Sequence, residues 1–213
     1  ISTWLWFPTV NAIRPLERDQ KGIVSGNTIV DMLRIRPNQS ISNNTKSNRI
    51  IVTLHRRESF ENTLRPALEN IKQFAKNSNF HILFIEHPNP NIGRMLKSVE
   101  FSGENIEVVK PVPYLEFINL ISESALVITD SGGLQEEARS LNIPLLVMRE
   151  NSERMEAIDG KAFRLTSPDG SMLTKDIKEA LEHSKSPNFK SGKNPFGDGF
   201  SAKSIVDGII TSL

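Results

Sequence analysis

The sequence contains no cysteine. Disulfides and thiolate metal sites are therefore excluded. It has no excess of charge: 26 basic residues against 25 acidic ones leave a net charge of +1. Such a balance gives no support to a general nucleic-acid or membrane-surface role. No apolar run approaches the roughly 20 residues a membrane helix needs. The GxGxxG of dinucleotide binders and the GxxxxGK(S/T) of P-loops are also missing. There is no internal repeat and no low-complexity tract. The opening ISTWLWFPT has no basic region before it and no cleavage-like tail, which argues against a signal peptide. It also lacks Met, which points to a chain that begins partway through a longer protein. A soluble cytoplasmic protein is the expectation.

The 213 residues are enough for one domain with a substantial core. From residue 49 onward, short apolar runs alternate with stretches of helical spacing. Strands are predicted over 49–54, 80–85, 106–109, 125–129, 144–148 and 162–165. Helices are predicted over 59–76, 92–99, 114–122, 134–140, 151–157 and 173–183. The longest helix places Leu64, Leu68, Ile71 and Phe74 on one face, with Ser59 as its N-cap. The strands are apolar throughout rather than alternating, the mark of a sheet covered on both faces. Strand after helix after strand predicts an α/β fold with a Rossmann-like, doubly wound parallel sheet. Residues 36–48 read as a polar surface loop and 184–199 as a linker. A last helix is predicted over 202–213.

In an open parallel sheet, ligands bind beyond the carboxyl ends of the strands. The residues predicted there are mostly charged groups or imidazoles. His55, Arg56, Arg57 and Glu58 follow the first strand; Glu86 and His87 follow the second. Lys110, Tyr114 and Phe117 follow the third. The fourth runs into Asp130-Ser131-Gly132-Gly133, and the fifth into Arg149, Glu150, Ser152, Glu153 and Arg154. The stretch VITDSGGLQEEA is the most informative. Its glycines stand where a helix normally has a capping side chain. They leave the backbone N–H groups uncovered and let another molecule approach closely. Uncovered donors at the positive end of a helix dipole suit an anion.

Each residue also has a plainer reading. His55 can be a strand-end histidine bonded to a backbone carbonyl, and His87 a loop residue. Arg56, Arg57 and Glu58 can be a solvated charge run. Glu136 and Glu137 can simply complement the helix dipole. Phe117 shares a helical face with Ile118 and Ile121, which favours the core. Arg154 near a helix start is a cation misplaced against a dipole, which favours work on an anion. His55 and His87 are too few for a zinc site. No metal or cofactor is expected. The residues themselves support an anion-binding α/β domain for a nucleotide or a sugar phosphate.

The motifs VTLHRRESF, EHPNP, PYLEF, TDSGGLQEEA, PLLVMRENSERMEA and NPFGDG occur in this order. With GIVSGNTIVDML before them, they resemble the second half of the non-hydrolysing UDP-N-acetylglucosamine 2-epimerases. That resemblance implies the second half of a GT-B-type two-domain fold. Residues 1–20 would be a remnant of the first half's end. Residues 21–190 would be the UDP-binding domain, and 191–213 a linker and crossover helix. It also implies interconversion of UDP-GlcNAc and UDP-ManNAc through elimination and re-addition of UDP. Ser131, Gly132 and Gly133 would bind the diphosphate, Glu137 the ribose hydroxyls and Arg154 the diphosphate. Phe117 would lie by the uracil, and His55 would help UDP leave. Arg56 and His87 match residues that touch an activating second UDP-GlcNAc in bacterial members. The acid and base carboxylates would lie in the first half, so this chain alone would be inactive. A homodimer is implied for the complete enzyme. A UDP-sugar-binding domain of a GT-B glycosyltransferase, or a regulatory nucleotide-binding module, are the alternatives.

Overall fold

A computed structural model describes residues 3–12, 20–35, 48–55, 60–187, 189 and 193–212. Arg56, Arg57, Glu58, the Ser59 cap and nearly all of the loop expected over 36–48 lie outside the described residues. The chain forms two compact units, residues 1–39 with 191–213, and residues 40–190. The domain start expected at residue 21 therefore falls inside the first unit.

In the first unit, β1 (Thr3–Phe7) pairs in parallel with β2 (Gln20–Val24), and α1 (Thr28–Ile35) follows. In the second, β3 (Arg49–Thr53) leads through a π-helical turn, Phe60–Leu64, into α2 (Arg65–Lys76). Next come β4 (His81–Ile85), α3 (Pro90–Ser98), β5 (Ile106–Val109) and α4 (Tyr114–Ser122). These are followed by β6 (Leu126–Thr129), α5 (Gly133–Ser140) and β7 (Leu145–Met148). β8 (Phe163–Thr166) and α6 (Leu173–Ser184) complete the second unit, and α7 (Ser201–Ser212) returns to the first.

The second unit carries a six-stranded parallel sheet in the order β5-β4-β3-β6-β7-β8. The α/β, doubly wound architecture expected from the sequence is present. β6 and β7 are buried along their whole length because helices cover both faces. The core joins Ile50, Val52, Phe84, Ile128 and Leu146 of the sheet to Leu68 and Ile71 of α2 and Ile177 of α6. β5 departs from the expectation of wholly apolar strands. It is an edge strand, and its Glu107 and Val108 are exposed. A charge on an edge strand discourages pairing with another chain.

Three further expectations change. The regular α-helix begins at Arg65 rather than near residue 59. Pro66 has no N–H to give the ladder, and its ring crowds the carbonyl four residues back, so a wider turn precedes it. The helix expected over 151–157 shrinks to a 3-10 turn, Met155–Ala157. The Ser152 hydroxyl accepts from the Arg154 backbone N–H at 3.0 Å, and this local bond competes with helix. The stretch read as a linker to residue 199 contains Phe196, which is wholly buried. The Asn27 N–H donates to the Phe196 carbonyl at 2.8 Å. Gly26 has φ +86°, and a β-carbon there would stand 2.5 Å from Ser201 Oγ. NPFGDG and the Gly-Asn-Thr stretch thus pack directly on one another.

Candidate functional site

Strand register brings together what the sequence scatters. β3 pairs with β4 so that Val52 stands opposite Phe84, and with β6 so that Thr53 stands opposite Thr129. Continued past the strand ends, the first register aligns His55 with His87. The second brings His55 beside Asp130. The two histidine rings stack, with centroids 5.1 Å apart and planes 18° apart. His87 Nδ1 accepts from the Asn89 backbone N–H at 3.1 Å.

Asp130 holds His55 at two places. Its carboxylate accepts the His55 backbone N–H at 2.9 and 3.1 Å, and its Oδ1 lies 2.8 Å from His55 Nδ1. The carboxylate is nearly buried while the imidazole is about one-third exposed. Asp130 itself is held by its main chain: the buried Arg149 donates from Nε to its carbonyl at 2.6 Å. The following Ser131 N–H donates to Thr129 Oγ1 at 3.0 Å. Sequence reading placed Asp130 at the strand end but gave it no role. The signal was available: an acid at the end of a buried strand beside a predicted ligand loop.

The start of α5 is built as the sequence predicts. Gly132 stands at the N-cap, and no side chain caps the helix. Arg154 lies over this turn. A β-carbon on Gly132 would come 2.6 Å from Arg154 Nη1, whereas one on Gly133 would meet nothing within 4 Å. Glu136, in the first turn of α5, accepts from Arg154 Nε at 2.5 Å. The loop bearing Arg154 is tied to α5 through fully buried Gln135. Ser152 Oγ donates to Gln135 Oε1 at 2.6 Å, and Gln135 Nε2 donates to the Ser131 carbonyl at 3.2 Å. Sequence reading missed Gln135, because a tie between two distant loops leaves no mark in either.

Glu137 is buried one helical step further along α5. Tyr114 Oη donates to its Oε1 at 2.9 Å. Burial raises the Glu137 carboxyl above its ordinary value; the Tyr114 bond opposes this and neighbouring Glu136 adds to it. Phe117 is half-buried on α4, whereas its neighbours Ile118 and Ile121 are buried. Phe117 therefore does not complete the core face it shares with them. The helices α4 and α5 pack together, which puts Tyr114, Phe117 and Glu137 on adjoining elements.

A cavity of about 420 Å³ opens at the same strand ends, lined by Leu54, Ala67, Asp130, Met148, Arg149 and Asn151 among others. It shares Asp130 with the His55 cluster but lies towards α2. Neither Arg154 nor the Gly132–Gly133 turn lines it; Gly133 is exposed, and Ser131 and Gly132 are half-buried. Among the described residues, no group of three His, Asp or Glu side chains could hold a metal ion. No described helix is long and apolar enough to cross a membrane.

The assembled groups suit an anion with a polar organic part. Backbone N–H groups and a guanidinium address the charge, and a buried carboxylate beside a half-buried aromatic addresses the rest. A protein of Campylobacter jejuni named UDP-N-acetylglucosamine 2-epimerase is 33% identical over 226 residues, covering 95% of this chain and 59% of that protein. One of the same name from Methanococcus maripaludis is 35% identical over 227 residues, covering 97% and 60%. The crystal structure of the Methanocaldococcus jannaschii UDP-GlcNAc 2-epimerase in complex with UDP-GlcNAc and UDP superposes with a TM-score of 0.75. It is 30% identical, and the match covers 100% of this chain and 62% of that one. The chain thus spans about three-fifths of the length of these relatives. Residues 1–210 match the family described as UDP-N-acetylglucosamine 2-epimerase, and the chain belongs to that family.

Proposed function

We propose that this chain is the UDP-binding part of an enzyme that interconverts UDP-GlcNAc and UDP-ManNAc. The observation that carries the reading is the uncapped Gly132–Gly133 helix start with the Arg154 guanidinium over it. Its support in the family is the M. jannaschii relative, bound to UDP-GlcNAc and UDP. The diphosphate of UDP lies against the Ser131 side chain and the N–H groups of Gly132 and Gly133, with Arg154 pairing with it. Glu137 accepts from the ribose hydroxyls, held for this by Tyr114. Phe117 lies by the uracil.

In the reaction a proton leaves carbon 2 of the sugar and the bond from carbon 1 to the diphosphate oxygen breaks. The electron pair of that bond goes to UDP, leaving a glycal. Re-addition of UDP, with a proton delivered to the opposite face of carbon 2, gives the epimer. His55 supplies a donor to the departing oxygen, where charge develops. The groups that move the carbon-2 proton belong to the remainder of the enzyme, so residues 1–213 alone bind but do not turn over. Arg56 and His87 contact a second, activating UDP-GlcNAc. The complete enzyme is a cytoplasmic homodimer, and residues 1–20 close its first half. The unit of residues 40–190 carries the nucleotide, and 191–213 cross back.

The test is calorimetric titration of the chain with UDP and with uridine. UDP should bind and uridine should bind far more weakly. Arg154→Ala should remove most of the UDP signal, since a charge-assisted contact is worth about 1.5–3 kcal/mol. Equal binding of UDP and uridine would sink the reading.

A further inference from the structure

The buried carboxylate of Asp130 has no assigned part in the reaction, yet it contacts His55 at both its backbone and its ring. It accepts the His55 backbone N–H and also faces His55 Nδ1 at 2.8 Å. A carboxylate in this position can only accept. It therefore requires the Nδ1 of His55 to carry a proton. The ring cannot turn over to present its other nitrogen without losing this contact. His87 lies flat against the ring face, which restricts tilting. His87 is in turn held through Nδ1 by the Asn89 N–H. One edge and one face of the His55 ring are thus fixed, and Nε2 is the nitrogen left to meet a ligand.

We infer that Asp130 is a positioning residue for His55. It selects the Nδ1-protonated tautomer, directs Nε2 towards the leaving group, and balances the imidazolium that forms when Nε2 also takes a proton. This rests on the proposed role of His55 in UDP departure. The backbone supports it. Arg149 holds the Asp130 carbonyl, and Thr129 holds the Ser131 N–H, so the backbone that carries the carboxylate is held from both sides. A flexible carboxylate could follow the ring. One anchored in this way sets the ring's position.

Two measurements test it. The first is a long-range proton–nitrogen NMR spectrum of the wild-type protein, which reports the proton position on each neutral histidine. His55 should carry its proton on Nδ1. In Asp130→Asn one acceptor oxygen remains for two donors, and the new amide group can donate to a bare Nδ1. The His55 proton should therefore shift towards Nε2. The second is steady-state kinetics of the complete enzyme. Asp130→Asn removes the charge that balances the imidazolium as it donates to the departing oxygen, and should lower kcat by roughly 10²–10³, the scale of electrostatic stabilisation of a developing oxyanion, with little change in KM. The double variant His55→Ala/Asp130→Asn should be no slower than His55→Ala, because residues that act as a unit are not additive.

A wild-type His55 with its proton on Nε2 would overturn the inference, and this needs no variant to fold. So would a double variant in which the two losses multiply, the mark of independent roles. A wild-type enzyme that leaves UDP-GlcNAc unchanged while His55 is protonated on Nδ1 would overturn the epimerase reading but uphold the hold of Asp130 on the ring.

Discussion

Gly132 and Arg154 occupy the same space: a β-carbon on the glycine would stand 2.6 Å from the guanidinium Nη1. The neighbour is the end of a flexible side chain, so a larger residue would displace it rather than break the fold. Gly132 has φ −71° and ψ −49°, which alanine adopts without strain. Gly132→Ala should keep the melting temperature and push Arg154 off the diphosphate. UDP affinity should fall about tenfold or more, the equivalent of roughly 1.4 kcal/mol. Calorimetry beside thermal unfolding checks this. Normal UDP binding by the Gly132→Ala variant would separate Arg154 from the site.

The first unit offers a stability test. Asp31 of α1 accepts from the backbone N–H groups of Ser201 at 3.0 Å and Ala202 at 2.7 Å. It therefore caps α7 from a residue 170 positions earlier in the chain. Asp31→Ala should cost about 0.5–2 kcal/mol, as other lost caps do. Thermal unfolding followed by circular dichroism would register it. Asp31→Asn keeps an acceptor oxygen and should recover part of the loss.

That cap also marks where sequence reading ends. Within one element the physics is local and legible. The face of α2 was readable from Leu68, Ile71 and Phe74, and the uncapped start of α5 from its two glycines. The order of strands was not readable, because pairing depends on which buried strands end up side by side. The juxtapositions of His55 with Asp130 and His87 follow from that order alone. The start of α2 was misread because a lone Pro66 decides it against a good apolar period. The segment over 151–157 was misread because Ser152 accepts from the Arg154 backbone N–H and donates to Gln135. Arg154 was found by its charge, but Gln135, which ties its loop to α5, looks like an ordinary helix residue.

Glu137 gives a pH-dependent signature. Burial raises its carboxyl in the folded chain above the ordinary value of 4.5. The folded state therefore prefers the protonated form. Its contribution to stability is present below about the ordinary value and is lost as pH rises through the raised one. Above the ordinary value the buried carboxyl is a burden that Glu137→Gln removes, while Gln keeps an acceptor for Tyr114. Glu137→Gln should melt higher than wild type at pH 8, and the gap should close as pH falls towards 4.5. The same variant should bind UDP less tightly, since the ribose loses its carboxylate. A melting difference that does not change with pH would place the titration elsewhere.

The sharpest test of the diphosphate site is Gly133→Ala, because its two effects should have opposite signs. A β-carbon at Gly133 meets nothing within 4 Å, and the residue opens α5. Replacing glycine at such a position removes freedom from the unfolded chain and should stabilise by about 0.4–1 kcal/mol. For a protein of this size that is a rise of roughly 1–4 °C in melting temperature. The open space above Gly133 is, however, where the diphosphate must come within hydrogen-bond distance of the backbone. A methyl group there would hold it away from the N–H donors at the positive end of the helix. UDP affinity should therefore drop while uridine binding stays as it was. A Gly133→Ala variant that is more stable and still binds UDP with wild-type affinity would mean that the phosphates lie elsewhere. The glycine pair would then be no more than a way to start a helix.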